Sequence, residues 1–419
     1  MKRLLVLSYY FPPMGMSGVQ RTLKFVKYLP EFGWQPVVLT IKPRGSYCYD
    51  QQLLEEIPNT HISRTFSFDP LYLSPSGHRP VAITRRNIVA GFNRFFIPDN
   101  KLGWIPFAVS RGLAIAKEQS IDAIYSTAPP FSSHLAALAL KRKLNKPLIC
   151  DFRDAWTQNP QAAYASPLHK KFDYFLEKKV LKNADRIIAI NQEIVDSFVK
   201  TYPGISPDKF KILPQGFDPA DFESVAPIKQ SKFTIVYTGT FVEKRTPEPL
   251  LNALKIIRNL HPEIFNNIQV IFAGTFRQAD KDMVRSAGME DAVEFRGYIP
   301  HKESIALLKS ADLLWLVIHP SEGKTVATGK LYEYLGAQKP ILASVPQEGA
   351  AAGLINQTKT GKVFSLSDSI SAKDYVVELF NSKKAGRTLT DQSGKNTVSY
   401  NRRIIANHLS VELDSLIAK

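Results

Sequence analysis

The sequence lacks most of the features that would assign a function quickly. Only two of its 419 residues are cysteine, Cys48 and Cys150, and no spaced framework surrounds them. That excludes a disulfide-stapled scaffold and points to a reducing cytoplasm. The eight histidines are dispersed and neither cysteine joins a ligand cluster, so no metal is expected. No apolar run approaches the roughly 18 residues of a membrane span. The N-terminus enters the apolar stretch LLVLSYY without a signal-peptide layout. The loop that follows carries glycines but is neither the GxGxxG fingerprint nor a P-loop. Negative charge is also scarce. There are 54 Lys and Arg against 38 Asp and Glu, a net charge of +16. Residues 1–200 hold 27 basic against 15 acidic residues, and residues 201–419 hold 27 against 23. A basic first half attracts anionic partners such as a membrane surface or phosphate-bearing lipid. No nucleic-acid recognition module accompanies the charge, and no nucleic-acid partner is expected.

What is present is alternation. A chain of this length with 44% apolar and 22% charged residues suggests two domains of ordinary globular type. In the first half, apolar runs at 4–10, 36–40, 121–126, 147–151 and 186–190 read as strands. Helical patterns at 19–32, 107–118, 132–144 and 172–183 separate them. The pattern restarts near Ser231, with strands at 233–237, 268–273, 293–296, 311–318 and from 340. Helices at 247–260, 279–287, 301–310 and 330–337 lie between. Such alternation predicts an α/β protein of two doubly wound, Rossmann-like domains. The first is expected over residues 1–215 and the second over 216–398. A Pro/Gly-bearing hinge falls within 209–225, and a final helix, 399–418, packs back on the first domain.

The most informative stretch is TVATGKLYEYLGAQKPILA, residues 325–343. It sets Thr328, Gly329, Lys330 and Leu331 at the start of a helix between two buried strands. Open α/β sheets bind ligands at the carboxyl ends of their strands, and a helix N-terminus there suits phosphate. Glu333 follows one turn after Lys330, so a cation and a carboxylate reach one ligand. Phosphate plus sugar hydroxyls is the chemistry this pair fits. Gly239 and the cations Lys244 and Arg245 follow the first strand of the second domain and suit a diphosphate. Gly274 follows the next strand. Gly15, Gly18 and Arg21 follow the first strand of the chain. Asp151, Arg153 and Asp154 end another strand, and Ser132, Ser133 and His134 follow a Pro-Pro turn.

These motifs resemble glycosyltransferase family 4, retaining enzymes of the GT-B fold that take sugar from a nucleoside diphosphate sugar. The resemblance spans nearly the whole chain and is weakest over residues 50–100. It implies two Rossmann-like domains across a cleft, closing on donor, and metal-independent chemistry with no cofactor beyond the nucleotide-sugar co-substrate. The family's second glutamate matches Glu333, while its first falls on Thr325, with Glu322 three residues earlier. The usual arginine after Gly239 is Thr240 here, and Lys244 or Arg245 matches the lysine that follows. By resemblance, Gly15 and Gly18 lie near donor phosphate, and Tyr298 and Ile299 belong to the turn that meets the base. Asp154, Glu333, Lys330 and Lys244 are the expected catalytic residues. Donor contacts are expected from Gly15, Gly18, Gly239, Lys244, Arg245, Gly274, Tyr298, Ile299, Glu322, Thr328, Gly329, Lys330, Leu331 and Glu333. Acceptor contacts are expected from His134, Arg153 and Asp154. The same residues fit a nucleotide-sugar epimerase of this architecture, or a non-catalytic sugar-nucleotide-binding subunit. Residues 81–97, with Arg85, Arg86 and Arg94 among Ile88, Val89, Phe92, Phe95 and Phe96, suit a membrane interface. A lipid-linked or glycan acceptor is therefore expected, and a peripheral place on the inner face of the plasma membrane.

Overall fold

Runs of Leu, Val and Ile without polar alternation belong to strands covered on both faces, and here every named strand pairs in parallel. A computed structural model describes residues 1–15, 17–44, 49–69, 72–73, 93–160, 162–241, 244–387 and 396–418. The chain divides into two compact units, Met1–Gln215 with Arg402–Lys419, and Gly216–Asn401.

The first unit contains β1 (Lys2–Leu7), β2 (Trp34–Ile41), β3 (His61–Thr65), β4 (Ala123–Ala128), β5 (Leu148–Phe152), β6 (Arg186–Ala189) and β7 (Phe210–Ile212). Their spatial order is β3-β2-β1-β4-β5-β6-β7, so the winding reverses between β1 and β4. The helix Arg402–Ile417 belongs to this unit: Leu409 and Leu413 are fully buried, and Trp34 Nε1 donates to Asp414 Oδ1 at 2.9 Å. The three residues before it belong to the second unit, where Phe217 N–H donates to Tyr400 O at 2.8 Å.

The second unit contains β8 (Phe233–Thr238), β9 (Ile268–Ala273), β10 (Val293–Gly297), β11 (Leu313–Val317), β12 (Ile341–Ser344) and β13 (Gly361–Phe364), in the order β10-β9-β8-β11-β12-β13. Its winding reverses between β8 and β11. Reversal opens a crevice at the carboxyl ends of the two strands, because their crossover helices leave on opposite faces. The fold class is the expected one. β3, β13 and the helices Gln192–Thr201, Ala350–Thr358 and Ser369–Lys384 were not expected from the sequence. Another helix begins at Pro167, five residues before the expected start. Ser166 caps it, its hydroxyl accepting from His169 N–H at 3.4 Å. Of the 81–97 segment, residues 81–92 lie outside the described residues. No described helix is long and apolar enough to cross a membrane.

Candidate functional site

In the second unit the chain leaves β8, β9 and β10 through Gly239, Gly274 and Gly297. The Gly239 N–H donates to Ala273 O at 2.7 Å, and the Gly274 N–H to Gly297 O at 2.6 Å. Gly274 sits at φ +145°, and a Cβ there would lie 2.0 Å from Gly239 O, so only glycine fits. Gly239, at φ +117°, leaves its room to a side chain instead. A Cβ on it would stand 2.7 Å from Lys330 Nζ.

Lys330 lies in the first turn of the helix Gly329–Ala337, which follows β11. Tyr334 fixes that helix at the crevice, accepting from Thr238 N–H at 3.0 Å and donating to Trp315 O at 3.2 Å. The Lys330 ammonium donates to Tyr237 Oη and lies 3.8 Å from that ring's centroid. Burial, with Arg245 nearby, holds the ammonium pKa well below the ordinary lysine value. Thr328 precedes the helix without capping it: its hydroxyl oxygen is buried with no hydrogen-bond partner. An uncapped helix N-terminus is the kind of feature that suits an anion. One turn on, Glu333 Oε1 lies 3.2 Å from His301 Nε2. Leu331 points into the core, fully buried.

Arg245 and Glu322, both expected to touch the donor, meet each other instead. Arg245 Nε donates to Glu322 Oε1 at 2.7 Å and its Nη2 to Oε2, and the residues are 6% and 3% exposed. Glu322 Oε1 also accepts from His319 N–H at 3.0 Å. Two buried opposite charges on adjacent loops are more stable paired than separately desolvated. The pair therefore braces the loops after β8 and β11. Lys244 is exposed, Tyr298 is 47% exposed and Ile299 packs partly against the core. Asp280 and Asp282 form an Asp-x-Asp triplet. Asp280 is held by Arg277 at 2.7 Å, and Asp282 accepts from Gln278 at 3.0 Å.

In the first unit Gly15 and Gly18 follow β1, where the winding reverses. Arg153, after β5, binds backbone: its Nη1 donates to Gly18 O, its Nη2 to Pro129 O at 2.7 Å and its Nε to Ala128 O at 3.1 Å. Asp154 is exposed. Asp151 pairs not with Arg153 but with Arg21, through bonds of 2.8 and 2.9 Å. Arg21 also donates to Leu213 O and Pro214 O, at 2.9 and 2.6 Å. It is a buried tie between helix, strand and chain, not a loop cation facing a ligand.

His134 is likewise fully buried, 4.4 Å from the Phe152 ring centroid, with Nδ1 2.7 Å from Ser126 Oγ. Expected to touch the acceptor, it sits in the core because its helix turns that face onto β4 and β5. Burial pushes its pKa down to about 3. The unfolded chain takes up a proton near pH 6.5 that the folded ring refuses, so this site lowers stability as pH falls below 6.5. The expected cost is about 2 kcal/mol at pH 5. Urea unfolding of the first unit from pH 7.5 to 5 should show the slope, and His134→Phe should flatten it. An unchanged slope in the variant would reject the assignment.

Sequence reasoning missed Tyr237 and gave His301 no role. Tyr237 carried a readable signal, lying two residues before the β8 glycine. The pairing of His301 with Glu333 spans 32 residues and needed the fold.

Residues 17–221 match the family model Glycosyltransferase Family 4, and residues 220–396 match Glycosyl transferases group 1. No curated protein matches the sequence. Among solved structures, the chain is similar to a sucrose-phosphate synthase from Thermosynechococcus elongatus, with a TM-score of 0.69 and 14% identity over 100% of both chains. It is also similar to Anabaena HepE in complex with UDP-glucose, at TM-score 0.56 and 15% identity over 100% of this chain and 98% of that one. A putative UDP-N-acetylglucosamine 2-epimerase from Listeria monocytogenes aligns at TM-score 0.61 and 10% identity, over 99% and 96%. At such identities these likenesses speak for the fold. The two family matches make this chain a glycosyltransferase of the family 4 type, a family 4 domain followed by a group 1 domain, and the likenesses show the GT-B fold.

Proposed function

We propose that the protein transfers a sugar, with retention and without a metal, from a nucleoside diphosphate sugar to a glycan or lipid-linked acceptor. The observation that carries this reading is the Lys330 ammonium lodged over Gly239 at the start of an uncapped helix, where the second sheet reverses its winding. The diphosphate binds the first-turn amides and Lys330, with the exposed Lys244 as a second cation. Glu333, positioned by His301, holds sugar hydroxyls. As the bond from C1 to the diphosphate oxygen breaks, its electron pair goes to that oxygen. A cation in a poorly solvated site stabilises that growing charge most. The acceptor hydroxyl bonds to C1 on the same face and passes its proton to the departing phosphate. Asp154 and the strand ends around it contribute acceptor contacts, and the enzyme works in the cytoplasm. The complexes of HepE with UDP and with UDP-glucose support a nucleotide-sugar ligand on this fold.

Thermal-shift screening with UDP, GDP, ADP and their sugars should pick out one base, since a ligand that binds only the folded state raises its melting temperature. Slow hydrolysis of the stabilising donor, followed by proton NMR, should first release the sugar in the donor's own anomeric form. Glu333→Gln should suppress that hydrolysis. Release of the opposite anomer would reject retention. A C2-epimerised nucleotide sugar formed without acceptor would replace transfer by epimerisation.

A further inference from the structure

Exposed large apolar side chains on one helix face need an explanation when they are contiguous and ringed by one sign of charge. The helix Pro167–Asn183 of the first unit has such a face. Leu168, Phe172 and Phe175 are 75%, 52% and 56% exposed. They lie at positions i, i+4 and i+7, one stripe of the helix, and the two phenylalanine rings stack with centroids 6.2 Å apart. Phe95, 52% exposed, lies near the helix start, where Ala165 N–H donates to Arg94 O at 3.0 Å.

The charges are sorted just as sharply. The helix carries Lys170, Lys171, Lys178, Lys179 and Lys182, none of which forms an ion pair among the described residues. Its only acids are Asp173 and Glu177, 3% and 0% exposed, and both face inward. Asp173 accepts from Trp156 Nε1 at 2.9 Å and Tyr164 Oη at 2.8 Å, and Glu177 from Tyr202 Oη at 2.6 Å. The outer face is therefore apolar and cationic, with no carboxylate on it, and hydrogen bonds beneath hold it in place.

We propose that this face docks the protein on an anionic bilayer, with Leu168, Phe172 and Phe175 in the headgroup–acyl boundary and the lysines on lipid phosphates. Unpaired lysines match an anionic surface, and a stripe about two helical turns long suits shallow insertion. The proposal uses no residue of the 81–92 segment and is independent of the nucleotide-sugar reading.

The test is co-sedimentation of the full chain with vesicles of phosphatidylcholine alone and with 30% phosphatidylglycerol, at low and at 150 mM salt. The parent should bind the anionic vesicles at least tenfold more tightly than the neutral ones, and salt should weaken that binding. Leu168→Ser/Phe172→Ser/Phe175→Ser should lose at least tenfold in binding. Lys171→Glu/Lys178→Glu/Lys182→Glu should lose the preference for phosphatidylglycerol. All six positions are solvent-facing, and unchanged melting curves would confirm that the variants fold. Phe172→Trp should show a blue-shifted emission on vesicles. The proposal is overturned if the parent does not sediment with anionic vesicles at low salt, or if the triple serine variant binds like the parent. It is equally overturned if light scattering shows that the stripe joins two copies of the chain and vesicles do not compete.

Discussion

Lys330→Ala is expected to reduce turnover by about 100- to 1,000-fold, the equivalent of about 2.7–4 kcal/mol, while changing donor affinity much less. The reason is where the ammonium sits. It lies against Gly239 and the Tyr237 ring and is only partly exposed, so solvent screens its field less than at an open surface. Charge on the diphosphate is greatest as the sugar leaves, and that is when the lost cation is felt most. The depressed pKa of Lys330 in the empty site adds a second signature. A dianionic diphosphate favours the charged ammonium, so its pKa rises on binding and the site takes up a proton. Affinity should then fall as pH rises through the empty-site value. Calorimetry in buffers of different ionisation enthalpy measures that uptake, and Lys330→Ala should abolish it. Parental turnover in Lys330→Ala, with the donor still bound, would place the phosphate elsewhere.

Glu322→Ala should be strongly destabilising, costing the second unit about 3–5 kcal/mol. It strands the Arg245 guanidinium, 6% exposed, without the carboxylate that neutralises it. Arg245→Met with Glu322→Leu should cost much less, since neither charge is then left buried alone. Hydrogen exchange read at the β8 and β11 amides separates the second unit from the first. If Glu322→Ala keeps full protection there but loses donor affinity, the carboxylate belongs to the ligand and not to the brace.

Legibility differed between elements for physical reasons. β8, FTIVYT, β9, IQVIFA, and β11, LLWLV, announced themselves because strands buried on both faces are mostly apolar. β3, HISRT, and β13, GKVF, are edge strands with little apolar run, and their signal sank into that of loops. The helix at Pro167 was read five residues short because Pro167 to Lys171 turn no apolar side chain inward; Leu168 there, like Phe172 after it, is exposed. A periodicity argument assumes that apolar side chains face the core, and these face outward.

Among site residues the same division holds. The glycines after β8 and β9, the helix start at Gly329 and the turn from Lys330 to Glu333 are local facts, written in spacing of a few residues, and the sequence by itself determined them. It also determined two doubly wound units, since strand–helix alternation leaves few other ways to cover a parallel sheet. Partnerships between distant side chains were decided only by tertiary structure. Arg21 and Asp151 are 130 residues apart, Arg245 and Glu322 77, and Lys330 and Tyr237 93. In the sequence each of these cations reads as free for a ligand. Folding pairs two of them with carboxylates and leaves the third on a tyrosine, because a buried charge must find its partner among whatever the sheet brings within about 3 Å.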